Sequence, residues 1–284
     1  MTIDDVRFPG RLWHYTNTQG MLAIVADKVI WATDAEYLND AQELRYAREH
    51  VSREFRSARE RIAAQAQRPA TDDPDANVAL ILSSALGAVE DFDPSSASHT
   101  HVFVACFCEE GDLLSQWRGY AAGSGFALGF DAACLAGAKL KALPKAELPV
   151  TMRGLRRVSY GDSELVQRVD QIMKGIIGRP TSHPGTLGDH IGRDEILPML
   201  AEFKHPAFAE EREWRLVATD RYGATVPFRS GPLGPTPYVA FDFGDALVEV
   251  KVGPGPHQAL RQKAIRRLVG DGVDVTLSEA PFRG

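Results

Sequence analysis

The sequence has few cysteines and no long apolar segment, and these absences exclude several classes of protein. Its 284 residues include three cysteines, two in the stretch VFVACFCEE and the third, Cys134, alone. A structural zinc site usually needs about four Cys or His ligands in paired clusters, so we expect no metal site and buried, reduced thiols at Cys106 and Cys108. No apolar run reaches the roughly 18 residues of a membrane-spanning helix.

The sequence also lacks a strong charge bias and the common catalytic signatures. The net charge is −6 and the isoelectric point is about 5.8, so nothing indicates broad binding to nucleic acid or to a membrane. The opening stretch MTIDDVRFPG is polar and acidic, so we expect no signal peptide and a cytoplasmic protein. There is no HExxH helix, GxSxG elbow or phosphate-binding P-loop, and GSGFALG follows a helix and precedes a strand, the reverse of a dinucleotide-binding loop.

What is present is the composition and patterning of a globular α+β protein. Apolar residues make up 44% and charged residues 25% of the chain. Strand patterns occur on both sides of a Gly/Pro/His-rich stretch at 178–192, which we interpret as a loop. We therefore predict a single α+β domain over residues 1–284, with small mixed or antiparallel sheets flanked by helices and with variable helical or loop segments near 55–95 and 135–195.

A charged stretch near the end of the chain, FAEEREWRLV, carries the most suggestive polar pattern. Read as a strand, it places Glu211, Glu213 and Arg215 on one face and Trp214 and Leu216 on the other. On one interpretation the three charged residues form a surface ladder. On the other, which we favour, the two glutamates line a cleft and Arg215 fixes one of them by an ion pair.

Two aromatic stretches place polar side chains beside rings. His14 lies in the short strand of WHYT, where a structural role and a hydrogen bond to a ligand hydroxyl are both open. In SQWRGYA, helical spacing brings Gln116, Trp117 and Tyr120 to one face. Aromatic rings bordered by hydrogen-bond donors suit the recognition of a flat heterocycle.

Several of these stretches together resemble a known bacterial family. They are LWHYTNTQGMLAIVADKVIWATDAEYLNDAQEL, VACFCEEGDLLSQWRGYAAGSGFALGFD, FKHPAFAEEREWRLV and VTLSEAPFR. In order and spacing they resemble the family of domain of unknown function 2971, with its aromatic N-terminal strand, its N-D pair and its late K…E-x-E-x-R pattern. Cys108 stands where the family often carries serine. The family itself implies no activity.

A second resemblance implies one. A strand histidine, a middle strand followed by aromatics, and a late strand glutamate resemble the histidine–tyrosine–glutamate layout of ADP-ribosyltransferases. That resemblance implies a split sheet with NAD, the substrate, in a central cleft. His14 would bond a ribose hydroxyl, and Tyr120 or Trp117 would stack on nicotinamide. Glu213, or alternatively Glu211, would stabilise the developing oxocarbenium charge.

The same resemblance implies a set of site residues and partners. The catalytic residues would be Glu213, Glu211 and His14, with Glu213 the principal carboxylate and its replacement by glutamine tolerated by the fold. The residues that bind NAD would be His14, Tyr15, Thr16, Asn39, Ser115, Gln116, Trp117, Arg118, Tyr120 and Arg215. The acceptor, if the enzyme is a transferase and not an NAD glycohydrolase, would be an unknown protein or nucleic acid. A toxin or phage-defence setting with an antidote protein is compatible with this activity.

Two other classes of function stay open from the sequence. In the first, Asp40 with Glu211 or Glu213 holds Mg²⁺ in a nucleotide- or phosphodiester-processing enzyme that also uses His14 and Asn39. In the second, the pocket of aromatic and polar residues binds a ligand without turnover, as a sensor module would.

Overall fold

The fold is that of a computed structural model, which describes residues 7–38, 41–65, 74–90, 100–120, 125–142, 150–176, 183–220 and 225–281. Within these ranges no helix is long and apolar enough to cross a bilayer. The strands are numbered in chain order: β1 (Arg11–Thr16), β2 (Val29–Asp34), β3 (His101–Cys108), β4 (Phe126–Asp131), β5 (Lys139–Leu140), β6 (Thr151–Arg157), β7 (Ser159–Tyr160), β8 (Phe203–Lys204), β9 (Glu213–Asp220), β10 (Phe228–Gly231), β11 (Gly234–Asp242), β12 (Leu247–Val252) and β13 (Asp274–Leu277).

The helices lie between these strands along the chain. They are α1 (Thr18–Asp27), α2 (Ala41–Gln65), α3 (Pro74–Glu90), α4 (Leu114–Tyr120), α5 (Ala132–Ala136), α6 (Asp162–Ile176), α7 (Pro184–Ile191), α8 (Leu197–Leu200) and α9 (Gln258–Val269). The Asn17 side chain caps the first helix by accepting the backbone N–H of Gly20.

Over the described residues, the main sheet has eleven strands and branches at β3. On one side β3 pairs with β9 along its whole length. On its other side β3 pairs with β2 at Phe103 and Val104, and with β1 at Cys108. One arm continues from β1 through β4, β12 and β13, and the other from β2 through β11 to β10 and β5. The predicted α+β class with mixed strand pairing is therefore confirmed, with the arms joined through β3.

The central strand β3 is buried on both faces, which explains its apolar sequence. Phe103, Ala105 and Phe107 contribute to the core beneath α1, α5 and α9. Val102 and Val104 face the opposite side, towards α8. A separate helical core is formed by apolar residues of α2, α3, α6, α7 and α8. The C-terminal end of β3 lies beside the start of β9, where Cys108 pairs with Glu213. The candidate site residues lie at this end of the two strands.

The prediction of a loop at 178–192 is wrong over residues 183–192, the part of this stretch that the structure describes. Residues from Pro184 to Ile191 form α7, and a π-helical turn over Gly192–Ile196 joins it to α8. Gly188 and Gly192 of this stretch allow close helix packing. A Cβ atom at Gly188 would lie 2.3 Å from the carbonyl oxygen of Ile81 on α3, and one at Gly192 would lie 2.7 Å from that of Ala85.

Candidate active site

A small pocket opens at the C-terminal end of β3 and the start of β9. Its volume is about 50 Å³, which is room for a few water molecules or for one polar edge of a larger ligand. We call it the carboxylate pocket. The residues that line it are Trp13, His14, Tyr15, Cys106, Cys108, Gln116, Tyr120, Lys204, Glu211 and Glu213. The histidine, the helix α4 and the late glutamates that the sequence singles out therefore meet at one place.

The two glutamates reach this pocket from different elements, which corrects the single-strand interpretation. Residues Pro206–Glu211 form a 3-10 helix, and Arg212 follows with a left-handed backbone, φ 42°. The strand β9 begins only at Glu213. Glu213 and Arg215 do share a strand face as predicted, but Glu211 arrives from the preceding helical turn.

Lys204 on β8 connects the glutamates. Its ammonium lies 2.7 Å from Glu211 Oε2 and 3.2 Å from Glu213 Oε2, and the side chain is only 2% exposed. The ammonium also lies 4.8 Å from the centre of the Phe208 ring, in the geometry of a cation–π contact. A buried ammonium needs such partners, since desolvation of an unpaired charge costs several kcal/mol.

Two cationic side chains, Arg215 and Lys204, hold the Glu213 carboxylate. Arg215 donates from Nε to Glu213 Oε1 at 2.6 Å and from Nη2 to Oε2 at 3.0 Å, and its Nη1 donates to the carbonyl of Ala201. Burial raises the pKa of Glu213, but Arg215 and Lys204 outweigh that effect and lower it to about 2. The expected ion pair is present, and the surface-ladder interpretation is wrong because Glu213 and Arg215 are buried.

His14 on β1 presents one ring nitrogen to a known partner. Its Nδ1 lies 2.9 Å from the carbonyl oxygen of Cys106, so Nδ1 carries the proton and donates. Within the part of the chain that the structure describes, Nε2 has no hydrogen-bond partner. Burial lowers the pKa of His14, the bond to Cys106 opposes this, and Arg229 lowers it further. The neutral ring therefore offers an Nε2 lone pair at the pocket.

The C-x-C pair forms part of the pocket wall. Cys106 and Cys108 are free thiols on the face of β3 that lies towards Glu213. Burial raises the pKa of both thiols, and the charge of Glu213 raises it further. Both are thus protonated at neutral pH, which suits the predicted structural role and not that of a nucleophile. Among the residues that the structure describes, no group of three or more His, Cys, Asp or Glu could hold a metal ion.

Helix α4 contributes two of its five expected residues. Gln116 is buried against the pocket, and Tyr120 stands at its mouth with 42% of its surface exposed. Trp117 is not placed to stack on a ligand here. It is buried, packs edge-on against Tyr15 with ring centres 4.8 Å apart, and donates from Nε1 to Asp112 Oδ1.

The loop before α4 is fixed by hydrogen bonds from two sides. The Tyr15 hydroxyl donates to the carbonyl of Glu110 and accepts the N–H of Leu113. Asp112 accepts the Ser278 hydroxyl and, at 2.7 Å, the N–H of Glu279. Ser278 and Glu279 of the closing stretch therefore hold the loop that leads into α4.

The remaining expected residues lie elsewhere. The structure does not bring Thr16, Ser115 or Arg118 to the lining of the carboxylate pocket, and Ser115 and Arg118 are exposed on α4. Arg215 lies behind Glu213. Asn39, and Asp40 of the metal hypothesis, fall outside the described residues.

Lys204 is the residue that sequence reasoning missed. It belongs to the quoted FKHPAFAEEREWRLV stretch, so the signal was a lysine near two glutamates. Its role depends on β8 pairing with β7, which is a two-residue strand too short to be recognised from a pattern.

Comparison with known proteins adds one finding. Residues 116–216 match the family described as Protein of unknown function (DUF2971). No curated protein and no solved structure matches the chain. The matched segment runs from α4 into β9 and contains Lys204, Glu211, Glu213 and Arg215, but not His14. The resemblance to this family of unknown function is therefore confirmed over residues 116–216.

Proposed function

We propose that the protein is an NAD-using enzyme of the ADP-ribosyltransferase type, a transferase or an NAD glycohydrolase, with its reaction centre at the carboxylate pocket. The observation that carries the proposal is the meeting of a neutral histidine, an exposed aromatic ring and a partly exposed carboxylate at one pocket. The macromolecular acceptor, if there is one, is a protein or a nucleic acid.

The contacts favour Glu211 over Glu213 as the carboxylate that meets the substrate. Both oxygens of Glu213 are engaged by Arg215, and one of them also by Lys204. Glu211 keeps 12% of its side chain exposed and lines the pocket. Glu213 then acts as a positioning residue, because it orients the Lys204 ammonium that in turn holds Glu211.

A fixed carboxylate suits the charge changes of NAD cleavage. The bond between ribose C1′ and the cationic nicotinamide nitrogen breaks, and its electron pair leaves with neutral nicotinamide. The positive charge spreads over C1′ and the ring oxygen, where Glu211 would stabilise it. Water or the acceptor then donates an electron pair to C1′ and loses a proton to solvent.

His14 and Tyr120 supply recognition in this proposal. The unprotonated Nε2 of His14 accepts a hydrogen bond from a ribose hydroxyl, and this role requires the neutral ring. Tyr120 offers an exposed ring at the mouth on which nicotinamide can stack. A pocket of about 50 Å³ takes only the edge of a sugar, so the remainder of NAD would lie outside it, beside α4.

The test is release of nicotinamide from NAD, followed by mass spectrometry, with and without a bacterial lysate as acceptor. We expect Glu211→Gln to lower the rate by about 10²–10³-fold, the usual cost of losing a group that stabilises transition-state charge. The matched control is Glu210→Gln, an exposed neighbour outside the pocket, which should react at the wild-type rate.

Three outcomes would contradict the proposal. Wild-type protein that releases no nicotinamide under either condition is not an NAD-cleaving enzyme, and thermal stabilisation by NAD without product would then indicate a sensor module. Loss of activity on adding a chelator would instead favour the Mg²⁺ enzyme. Equal rates for Glu211→Gln and Glu210→Gln would remove Glu211 from the mechanism.

A further inference from the structure

A second and larger pocket lies on the other side of β9. Its volume is about 570 Å³, within the roughly 300–1,000 Å³ of typical small-molecule sites. Trp214 lines this pocket, whereas its neighbour Glu213 lines the carboxylate pocket, since consecutive strand residues point to opposite faces. The two pockets are therefore separated by the strand itself.

Four arginines line this pocket: Arg7, Arg156, Arg157 and Arg168. We call it the arginine pocket. Within the described residues, Arg7 and Arg157 form no ion pair. Both side chains are exposed to solvent. Two guanidiniums therefore line this cavity without a carboxylate partner, in a protein whose net charge is −6.

The carboxylates in the lining do not balance these charges. Glu202 alone serves two arginines, with Arg168 Nη2 at 3.2 Å from Oε2 and Arg156 Nε at 3.8 Å from Oε1. Glu109 accepts the Trp214 indole N–H at 2.9 Å and lies 3.8 Å from Arg212. The lining therefore carries an excess of two positive charges.

Apolar residues form the rest of the lining near the N-terminus of the described chain. Phe8 and Pro9 line the cavity, and the Phe8 ring packs on Trp214 with centres 5.8 Å apart. Guanidiniums bind phosphate oxygens through paired hydrogen bonds, and an aromatic wall accepts a flat ring. We propose that the arginine pocket binds a small phosphorylated ligand with a flat base, of the nucleoside monophosphate class.

This proposal is independent of NAD cleavage, and calorimetric titration tests it with AMP, adenosine and inorganic phosphate as probes. AMP should bind at least about tenfold more tightly than adenosine, and inorganic phosphate should compete with it. Arg7→Gln and Arg157→Gln should each weaken AMP binding about tenfold, since each removes a charge-assisted contact. Both positions are exposed, so thermal melting should show an intact fold.

Two control variants locate the ligand. Arg267 lies on α9, which packs on β12 and β13, away from β6 and β9, so Arg267→Gln should leave AMP affinity unchanged. Gln116→Ala removes a residue of the carboxylate pocket and should also leave it unchanged. The proposal is overturned if AMP fails to bind at millimolar concentration, if adenosine binds equally well, or if AMP affinity falls in Gln116→Ala and not in the arginine variants.

Discussion

The two pockets beside β9 differ in how their charges are compensated. In the carboxylate pocket Glu211 and Glu213 are matched by Lys204 and Arg215, and three of these four side chains are almost fully buried. In the arginine pocket the cations outnumber the carboxylates and stay partly exposed. A buried charge must be paired within the fold because its desolvation is costly. An exposed charge stays hydrated and can bind a ligand. Removing a buried charge beside the first pocket should therefore destabilise the fold, whereas the arginines of the second pocket are available for binding.

The sharpest way to break this contrast is to remove Arg215, which compensates Glu213 from behind the carboxylate pocket, and Arg157, which lines the arginine pocket. Arg215→Met leaves Glu213 buried with Lys204 as its remaining cation, and we expect a loss of about 3–5 kcal/mol in the free energy of unfolding. Arg157→Met removes an exposed, unpaired charge and should change stability by less than about 0.5 kcal/mol. Urea unfolding measures both, and equal losses would refute the contrast.

Acid should weaken the carboxylate pocket through Glu213. Its pKa is lowered from 4.5 to about 2 in the folded protein, so its contribution is fully present above 4.5 and is lost as the pH falls through about 2. The shift corresponds to about 3 kcal/mol. Urea unfolding at about pH 6 and pH 3 should show a smaller loss of stability for Glu213→Gln than for the wild type.

The structure changes the expectation for Glu213→Gln at neutral pH. From the sequence alone this replacement should leave the fold intact. With Arg215 and Lys204 buried against it, the neutral amide leaves two cations undercompensated, so Glu213→Gln should itself be destabilised at neutral pH. A melting temperature equal to that of the wild type at neutral pH would contradict this.

The bridge through Lys204 should appear as coupling between residues. Lys204→Met keeps most of the side-chain volume and removes the ammonium, and Glu211→Gln removes one of its partners. In a double-mutant cycle we expect a coupling free energy of about 1–2 kcal/mol. Additive effects of the two replacements on urea unfolding would show that the 2.7 Å contact contributes no stability.

A small effect is also expected when an ion-paired arginine of the arginine pocket is removed. Arg168→Gln removes one cation from Glu202 while Arg156 stays in place, and Arg168 is 44% exposed. Solvent screens such a pair, so the stability should fall by less than about 1 kcal/mol. Urea unfolding of this variant beside Lys204→Met gives the comparison, and a loss as large as that of Lys204→Met would mean that the arginine pocket is structural.

Much of the fold followed from local pattern. The cap at Asn17, the apolar runs of β3 and β4 and the four-residue spacing of Ala47, Val51 and Phe55 on α2 are features that local sequence physics favours. The 178–192 region was misjudged for an equally physical reason. Glycine weakens an isolated helix, but Gly188 and Gly192 allow α7 to approach α3 more closely than any side chain would permit.

The sequence by itself determined which residues carry charge and aromatic rings. It also predicted that His14, Gln116, Tyr120 and the late glutamates form one site. Only the tertiary structure decided what those charges do. Lys204 lies nine residues before Glu213, and β8 together with the 3-10 helix folds it back between two carboxylates. Arg7 and Arg157 are far apart in the chain and meet only at the edge of the sheet. Charge compensation depends on distances of about 3–4 Å between side chains from separate elements, and no local sequence pattern specifies those distances.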